Sequence, residues 1–230
     1  MAFLVAAPGT QQGRGAAAGR AGGLAIATET VVLLHGIWMR PWALGVLAGR
    51  LRQAGYAVSI PAYASVRLTP AQNAERLYAF LKTLPTDSLH VVAHSLGGIV
   101  ALHLLEKYPE LPPGRLVTLG TPAQGSKIAR AIKPVPVLGM AFGNSMVEGL
   151  SGDDVPQTIG RDWGAVIGML PVGLGLPFLW GEASDGAVRV SEAQHPAQTA
   201  RIEQRVSHTG MLFSPLTFTY IQRFLQTGQF

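Results

Sequence analysis

The chain predicts an α/β fold, a mostly parallel sheet of about six strands with helices on both faces. Three observations carry this. From Glu29 onward strand signals alternate with helix signals, the rhythm of strand–helix–strand units. The strand runs are continuously apolar and partly β-branched, as strands covered on both faces require. And one helix start is spelled out residue by residue, in Thr69-Pro70-Ala71-Gln72, with an N-cap, a proline in the first turn and a capping glutamine.

The elements follow in order. Residues 31–34 (Val-Val-Leu-Leu) read as the first strand. Residues 42–53 have helical spacing and are ended by Gly55, and 57–60 form the next strand. The helix opened by Thr69 has its apolar face at Leu77, Phe80, Leu81 and Leu84, the i, i+3, i+4, i+7 positions. A short strand at 89–93, a helix at 96–107 and a strand at 116–120 come next. Strand signals return at 165–170 and 202–206, and a last helix opens at Ser214-Pro215 and runs to about Gln226.

Two stretches stand outside that rhythm. Residues 8–27 are dominated by Gly, Ala, Gln and Arg with no apolar period, so 1–27 reads as a flexible N-terminal tail before a single domain at 28–230. Residues 123–162 are rich in Gly, Pro and small apolar residues and show no strand. The segment 123–180 therefore reads as an insert that caps the strand ends. Its apolar candidates are Val135, Val137, Leu138, Met140 and Phe142, then Leu174, Leu176, Phe178, Leu179 and Trp180.

Composition narrows the function classes. Of 230 residues 48% are hydrophobic and 13% charged, which favours a buried core over disorder. With no cysteine, disulfides and thiolate metal sites are excluded, and no motif for a metal or organic cofactor is present. The net charge of +5 lacks the clustered Lys/Arg and interleaved aromatics of a nucleic-acid surface, so no nucleic-acid partner is expected. Met1 to Ala7 is too short and lacks the basic start of a secretory signal. The uncharged stretch 163–181 is broken by Pro171, Pro177 and five glycines, so it reads as a strand and loop rather than a transmembrane segment. The compartment stays open, with a cytoplasmic location favoured.

In sheets of this kind ligands bind at the carboxyl ends of the strands. After 89–93 the chain reads His94-Ser95-Leu96-Gly97-Gly98 and enters a helix. A serine at such a turn, with small Ala93 and Gly97 two residues to either side, is a nucleophile elbow. Its hydroxyl needs a base and the base an orienting acid, in the chain order Ser, Asp/Glu, His. His195 and His208 are the distant histidines after Ser95; His208 directly follows a predicted strand and is favoured. Asp185, in the turn Ser184-Asp185-Gly186, is the favoured acid, with Glu182 the nearest rival and Asp153, Asp154 and Asp162 in the irregular segment. Oxyanion donors are expected at the backbone N–H of Leu96 and, from His35-Gly36-Ile37-Trp38, of Ile37. His35, His90, His94 and His103 read as structural.

On these residues, and on Gly120-Thr121-Pro122 and Ser207-His208-Thr209-Gly210, the chain from about Glu29 to Phe230 resembles the α/β-hydrolase superfamily, and within it the small bacterial lipases and esterases. The resemblance implies a Ser95–Asp185–His208 triad, oxyanion donors at Ile37 and Leu96, and hydrolysis of a small-molecule ester with an apolar acyl group. A serine acyltransferase or thioesterase with the same machinery, and more distantly a non-catalytic binding protein, are the other readings. Two departures from the pattern are Ala93, where most members have glycine, and the lack of antiparallel strands before Val31, which implies a reduced form of the fold.

Overall fold

The computed structural model describes residues 29–137, 139–173 and 175–230; the predicted tail at 1–27 lies outside them, as do Leu138 and Leu174. Six strands, β1 (Glu29–Leu34), β2 (Ala57–Ser59), β3 (Ser88–His94), β4 (Leu116–Leu119), β5 (Trp163–Gly168) and β6 (Ala200–Gln204), form one sheet in the order β2-β1-β3-β4-β5-β6. Every neighbouring pair is parallel. Among the described residues six α-helices accompany them: α1 (Gly45–Gln53), α2 (Pro70–Leu81), α3 (Leu96–Lys107), α4 (Lys127–Ile132), α5 (Val190–Ala193) and α6 (Pro215–Thr227).

The continuous apolar runs are explained by a core on each face. Val32, Leu34, Val91 and Ala93 point to the side of α2 and α3, where Leu77, Leu81, Ile99 and Leu102 meet them. Val31, Leu33, Val92 and Val117 point the other way, onto Leu47 and Leu51 of α1 and Ile221 and Phe224 of α6. Successive strand residues thus feed opposite cores, and each buried leucine or valine contributes about 1.5–3 kcal/mol.

Strand order reverses between β1 and β3, because the chain goes outward to β2 and then returns to the far side of β1. Register pairs Leu34 with Ala93. The loop after β1 and the turn after β3 therefore leave the sheet side by side, at the switch point where ligands bind in such folds.

Several local expectations are adjusted. The 42–53 helix is a 3-10 turn at Pro41–Leu44 followed by α1. The fifth and sixth strands each begin two residues earlier than their apolar runs, since Trp163 and Gly164 pair with β4 and Ala200 pairs with Gly164. Thr69 does cap α2, its Oγ1 accepting from Gln72 N while the Gln72 side chain accepts from Thr69 N. Phe80, however, is 40% exposed. The buried stripe of α2 is Asn73, Ala74, Leu77 and Leu81; Asn73 displaces the face because its amide ties down Ala64 and Thr69.

The irregular segment holds more structure than its composition suggests. Ser126 Oγ accepts from Ala129 N to start α4, and 3-10 turns follow at Gly139–Ala141 and Gly143–Met146. Elements this short carry too few residues for a period to emerge. The uncharged 163–181 stretch is β5 plus a loop and a 3-10 turn; among the described residues no helix is long and apolar enough to cross a membrane.

Candidate active site

Ser95 joins β3 to α3 with φ +54° and ψ −125°, a backbone state that costs a non-glycine residue about 1–3 kcal/mol. The surroundings hold it there. Its N–H donates to Leu119 O at 2.9 Å, and its carbonyl accepts from Gly98 N at 2.9 Å and Thr121 Oγ1 at 3.0 Å. The glycines after it are dictated by contact. A Cβ on Gly97 would lie 2.6 Å from His35 O, and one on Gly98 would lie 2.0 Å from Thr121 Oγ1.

The loop after β1 is pressed against this turn. A Cβ on Gly36 would meet His94 Nδ1 at 3.0 Å and Ser95 Cβ at 3.2 Å. Buried His35 stacks on Tyr63, ring centroids 4.3 Å apart, and the Tyr63 hydroxyl donates to His35 O. Trp38, at φ +57°, donates from Nε1 to Ala141 O at 2.8 Å and packs on Phe142. Among the described residues, no acceptor is hydrogen-bonded to the N–H of Ile37 or of Leu96.

Asp185 and His208 meet from two separate loops. Asp185 is 1% exposed. One carboxylate oxygen, Oδ1, accepts from Ala187 N at 2.9 Å and Val188 N at 2.7 Å; the other lies 2.7 Å from His208 Nδ1. The turn is closed by Asp185 N donating to Val188 O, and His208 N donates back to Asp185 O at 2.9 Å. An ionised carboxylate only accepts, so Nδ1–H is the donor and Nε2 of a neutral His208 is left with its lone pair. Gly120, at φ +55°, passes directly over the pair: a Cβ there would lie 2.8 Å from Asp185 Oδ2 and 3.0 Å from His208 Nδ1. This role escaped sequence reasoning, although Gly120-Thr121-Pro122 was one of the segments carrying the resemblance.

His94 backs the pair from below. It is fully buried, its ring lies 4.6 Å from that of His208, and its Nε2 donates to His208 O at 3.1 Å. Burial first, and then the neighbouring His208, pushes its pKa down to about 3, so it is neutral. With Nε2 carrying the proton, Nδ1 is a bare acceptor with no protein partner.

Ser95 and His208 line one cavity of about 460 Å³ at the carboxyl ends of the strands. Its other walls are mostly apolar: Ile37, Trp38 and Met39 from the loop after β1, Ile128 and Ile132 of α4, Phe142 and Leu150, then Val172, Phe178 and Val188. Among the described residues no hydrogen bond joins Ser95 Oγ to His208.

The remaining candidates fall elsewhere. His195 is buried against Trp163 at the opposite end of the sheet, its Nε2 bonded to Gln157 Oε1. Glu182 is paired with Lys127 and Arg189, and Asp162 with Arg115. Asp153 and Asp154 are exposed and none of these four lines the cavity. Of the insert's apolar candidates, Phe142 and Phe178 line it, whereas Val135, Val137, Met140 and Trp180 face solvent and Leu179 is buried in the protein. The exposed group sits on turns too short to have an inner face, which periodicity cannot register.

The fold has relatives of known structure. The mature lipase BlEst2 of Bacillus licheniformis is 18% identical, with a TM-score of 0.67 over 86% of this chain and 92% of that one. The metagenomic carboxyl esterase MGS0156 is 19% identical, with a TM-score of 0.59 over 81% and 66%. The methylesterase MES16 of Arabidopsis is 14% identical, with a TM-score of 0.57 over 86% and 99%. No curated protein matches the chain by sequence. The model of the alpha/beta hydrolase family, however, matches residues 31–221, from the first strand into the last helix, and the chain belongs to that family.

Proposed function

We propose that this protein is a serine hydrolase of carboxylic esters, with Ser95 as nucleophile, His208 as base, Asp185 as orienting acid and the N–H groups of Ile37 and Leu96 as oxyanion donors. The observation that carries the reading is the Asp185–His208 pair. Its carboxylate is pinned by two backbone N–H groups, which leaves one oxygen to hold the imidazole with Nε2 toward the cavity of Ser95.

In the first half-reaction His208 Nε2 takes the Ser95 Oγ proton as Oγ bonds to the ester carbonyl carbon. The carbonyl oxygen gains the negative charge, and the two free N–H groups, one at the positive end of α3, stabilise it. Collapse breaks the bond to the alkoxy oxygen, which leaves with the proton from His208. Water then attacks the acyl-enzyme, giving its proton to His208, and the acid departs as Ser95 recovers its own. The apolar walls suit an acyl chain, and α4 with residues 141–150, Val172 and Phe178 serves as the cap.

The test is labelling by a fluorophosphonate probe together with hydrolysis of a panel of esters and thioesters graded by acyl length. The wild type should label and turn over esters. Ser95→Ala should lose labelling and about 10⁴–10⁶ of the rate while its circular dichroism stays native. Wild-type labelling of the alanine variant would place the nucleophile elsewhere.

A further inference from the structure

A second, larger hollow of about 780 Å³ adjoins the active-site cavity, and Trp38 and Met39 line both. Three arginines, Arg40, Arg67 and Arg76, line it, and no acidic residue does. All three arginines are exposed, and among the described residues none pairs with a carboxylate. Like charges gather in one concavity here without the counter-charge that normally accompanies them. Such a focus of one sign attracts an anion, and arginine offers the forked N–H geometry that matches phosphate oxygens.

The walls are fixed in advance. Buried Asn73 bonds to Ala64 N, Ala64 O and Thr69 O across the loop that carries Arg67. Asn144, from the segment capping the cavity, donates to the carbonyls of Val66 and Arg67. The backbone bearing Arg67 is thus tied to α2 on one side and to the cap on the other, so an anion held there need not order the loop first.

Resting on the esterase reading of the adjoining cavity, the geometry points to a substrate class: an ester that joins an apolar acyl chain to an alcohol bearing a phosphate. The acyl chain occupies the mostly apolar cavity, which no Lys, Arg, Asp or Glu lines. The scissile carbonyl sits at Ser95, and the alcohol half passes Trp38 so that its phosphate lies among Arg40, Arg67 and Arg76.

Two substrates decide it: butyl butyrate, and the same ester with a phosphate on the far end of the butyl group. The wild type should favour the phosphate ester by about tenfold in kcat/KM, since exposed ion pairs are individually weak and three act together. That preference should shrink as salt rises. In the Arg40→Gln, Arg67→Gln, Arg76→Gln triple variant it should collapse toward one, through KM rather than kcat; single variants carry the same comparison if the triple variant melts early. Equal kcat/KM for the two esters in the wild type, or a preference that survives in the variant, overturns the assignment. Should neither ester be cleaved, the esterase reading fails, and calorimetry then judges the groove separately. There, butyl phosphate binding to the wild type and lost in the variant supports it, while equal or absent binding overturns it. Inorganic phosphate binding as tightly as butyl phosphate would mark a free-anion site and overturn the ester assignment.

Discussion

Two walls face each other across the active-site cavity, and different forces hold them. One is made of the ends of β3, β4 and β6 and the turn around Asp185, where hydrogen bonds hold the backbone of Ser95, the Asp185 carboxylate and the His208 ring. The other is α4 with residues 141–150, Val172 and Phe178, where short helical turns present apolar side chains. On the first wall a single added methyl group would collide with the backbone or with the Asp185 carboxylate, as at Gly97 and Gly120. On the second, contact is non-directional, and a lost side chain removes area rather than geometry. In the proposed reaction, chemistry that needs alignment falls to the first wall and selection among similar acyl groups to the second.

The sharpest way to break that contrast is at Asp185. Asp185→Asn keeps the size of the side chain but cannot accept from His208 Nδ1 through its nitrogen, so the imidazole loses its tautomer and orientation. We expect kcat to fall by about 10⁴-fold, with Glu182→Gln and Asp162→Asn remaining near wild type in the same assay. An Asp185→Asn enzyme of nearly normal kcat would mean that the first wall is not the directional one.

The same contrast explains what was legible in the sequence. The fold was readable because β1, β3 and α3 are long, apolar and punctuated, and because strand ends position residues without reference to anything distant. Ser95, Asp185 and His208 follow such ends or sit in a glycine turn; Asp185 is hydrogen-bonded to His208, and His208 lines the same cavity as Ser95. Phe80 misled because Asn73 takes the buried place through hydrogen bonds to a loop, a tertiary demand that periodicity does not encode. In the capping segment, Met140 and Phe142 are two residues apart with similar chemistry, yet one is 79% exposed and the other 7%. That difference depends on where Trp38, from the loop after β1, packs.

Acid should act on the buried histidines at the two ends of β3, His94 beside the cavity and His90 near the strand's start. Burial holds the His94 pKa down to about 3 and that of His90 down to about 4, the latter aided by Arg115 and Arg161, against an ordinary value of 6.5. Above 6.5 both folded and unfolded chains carry these rings neutral, and stability is fully present. As pH falls below 6.5 the unfolded chain takes up protons that the folded one refuses, and stability is lost progressively toward the folded values. Each ring removes up to about 1.4 kcal/mol per pH unit over that window. Melting temperatures at pH 7 and pH 5 should therefore differ more in the wild type than in His94→Gln, whose ring is gone. Equal falls in the two proteins would show that His94 is not held neutral by its setting.

The smallest expected effect tests the apolar wall, and there the signature is selectivity rather than loss. Ile128 and Phe178 both line the cavity, and Ile128 is half-buried and Phe178 exposed, so replacing them by serine should remove acyl contact without opening the core. Each buried methylene contributes about 0.8 kcal/mol, so in the wild type two further acyl carbons should raise kcat/KM by about tenfold while the cavity has room. In Ile128→Ser/Phe178→Ser the loss on octanoate should exceed the loss on acetate by a similar factor, flattening the gradient. Met140→Ser is the matched control, because that side chain is exposed and lies outside the cavity; its gradient should keep the wild-type slope. If the double variant is instead damaged equally on acetate and octanoate, the second wall is aligning the reacting groups, and the division between a directional and a non-directional wall does not hold.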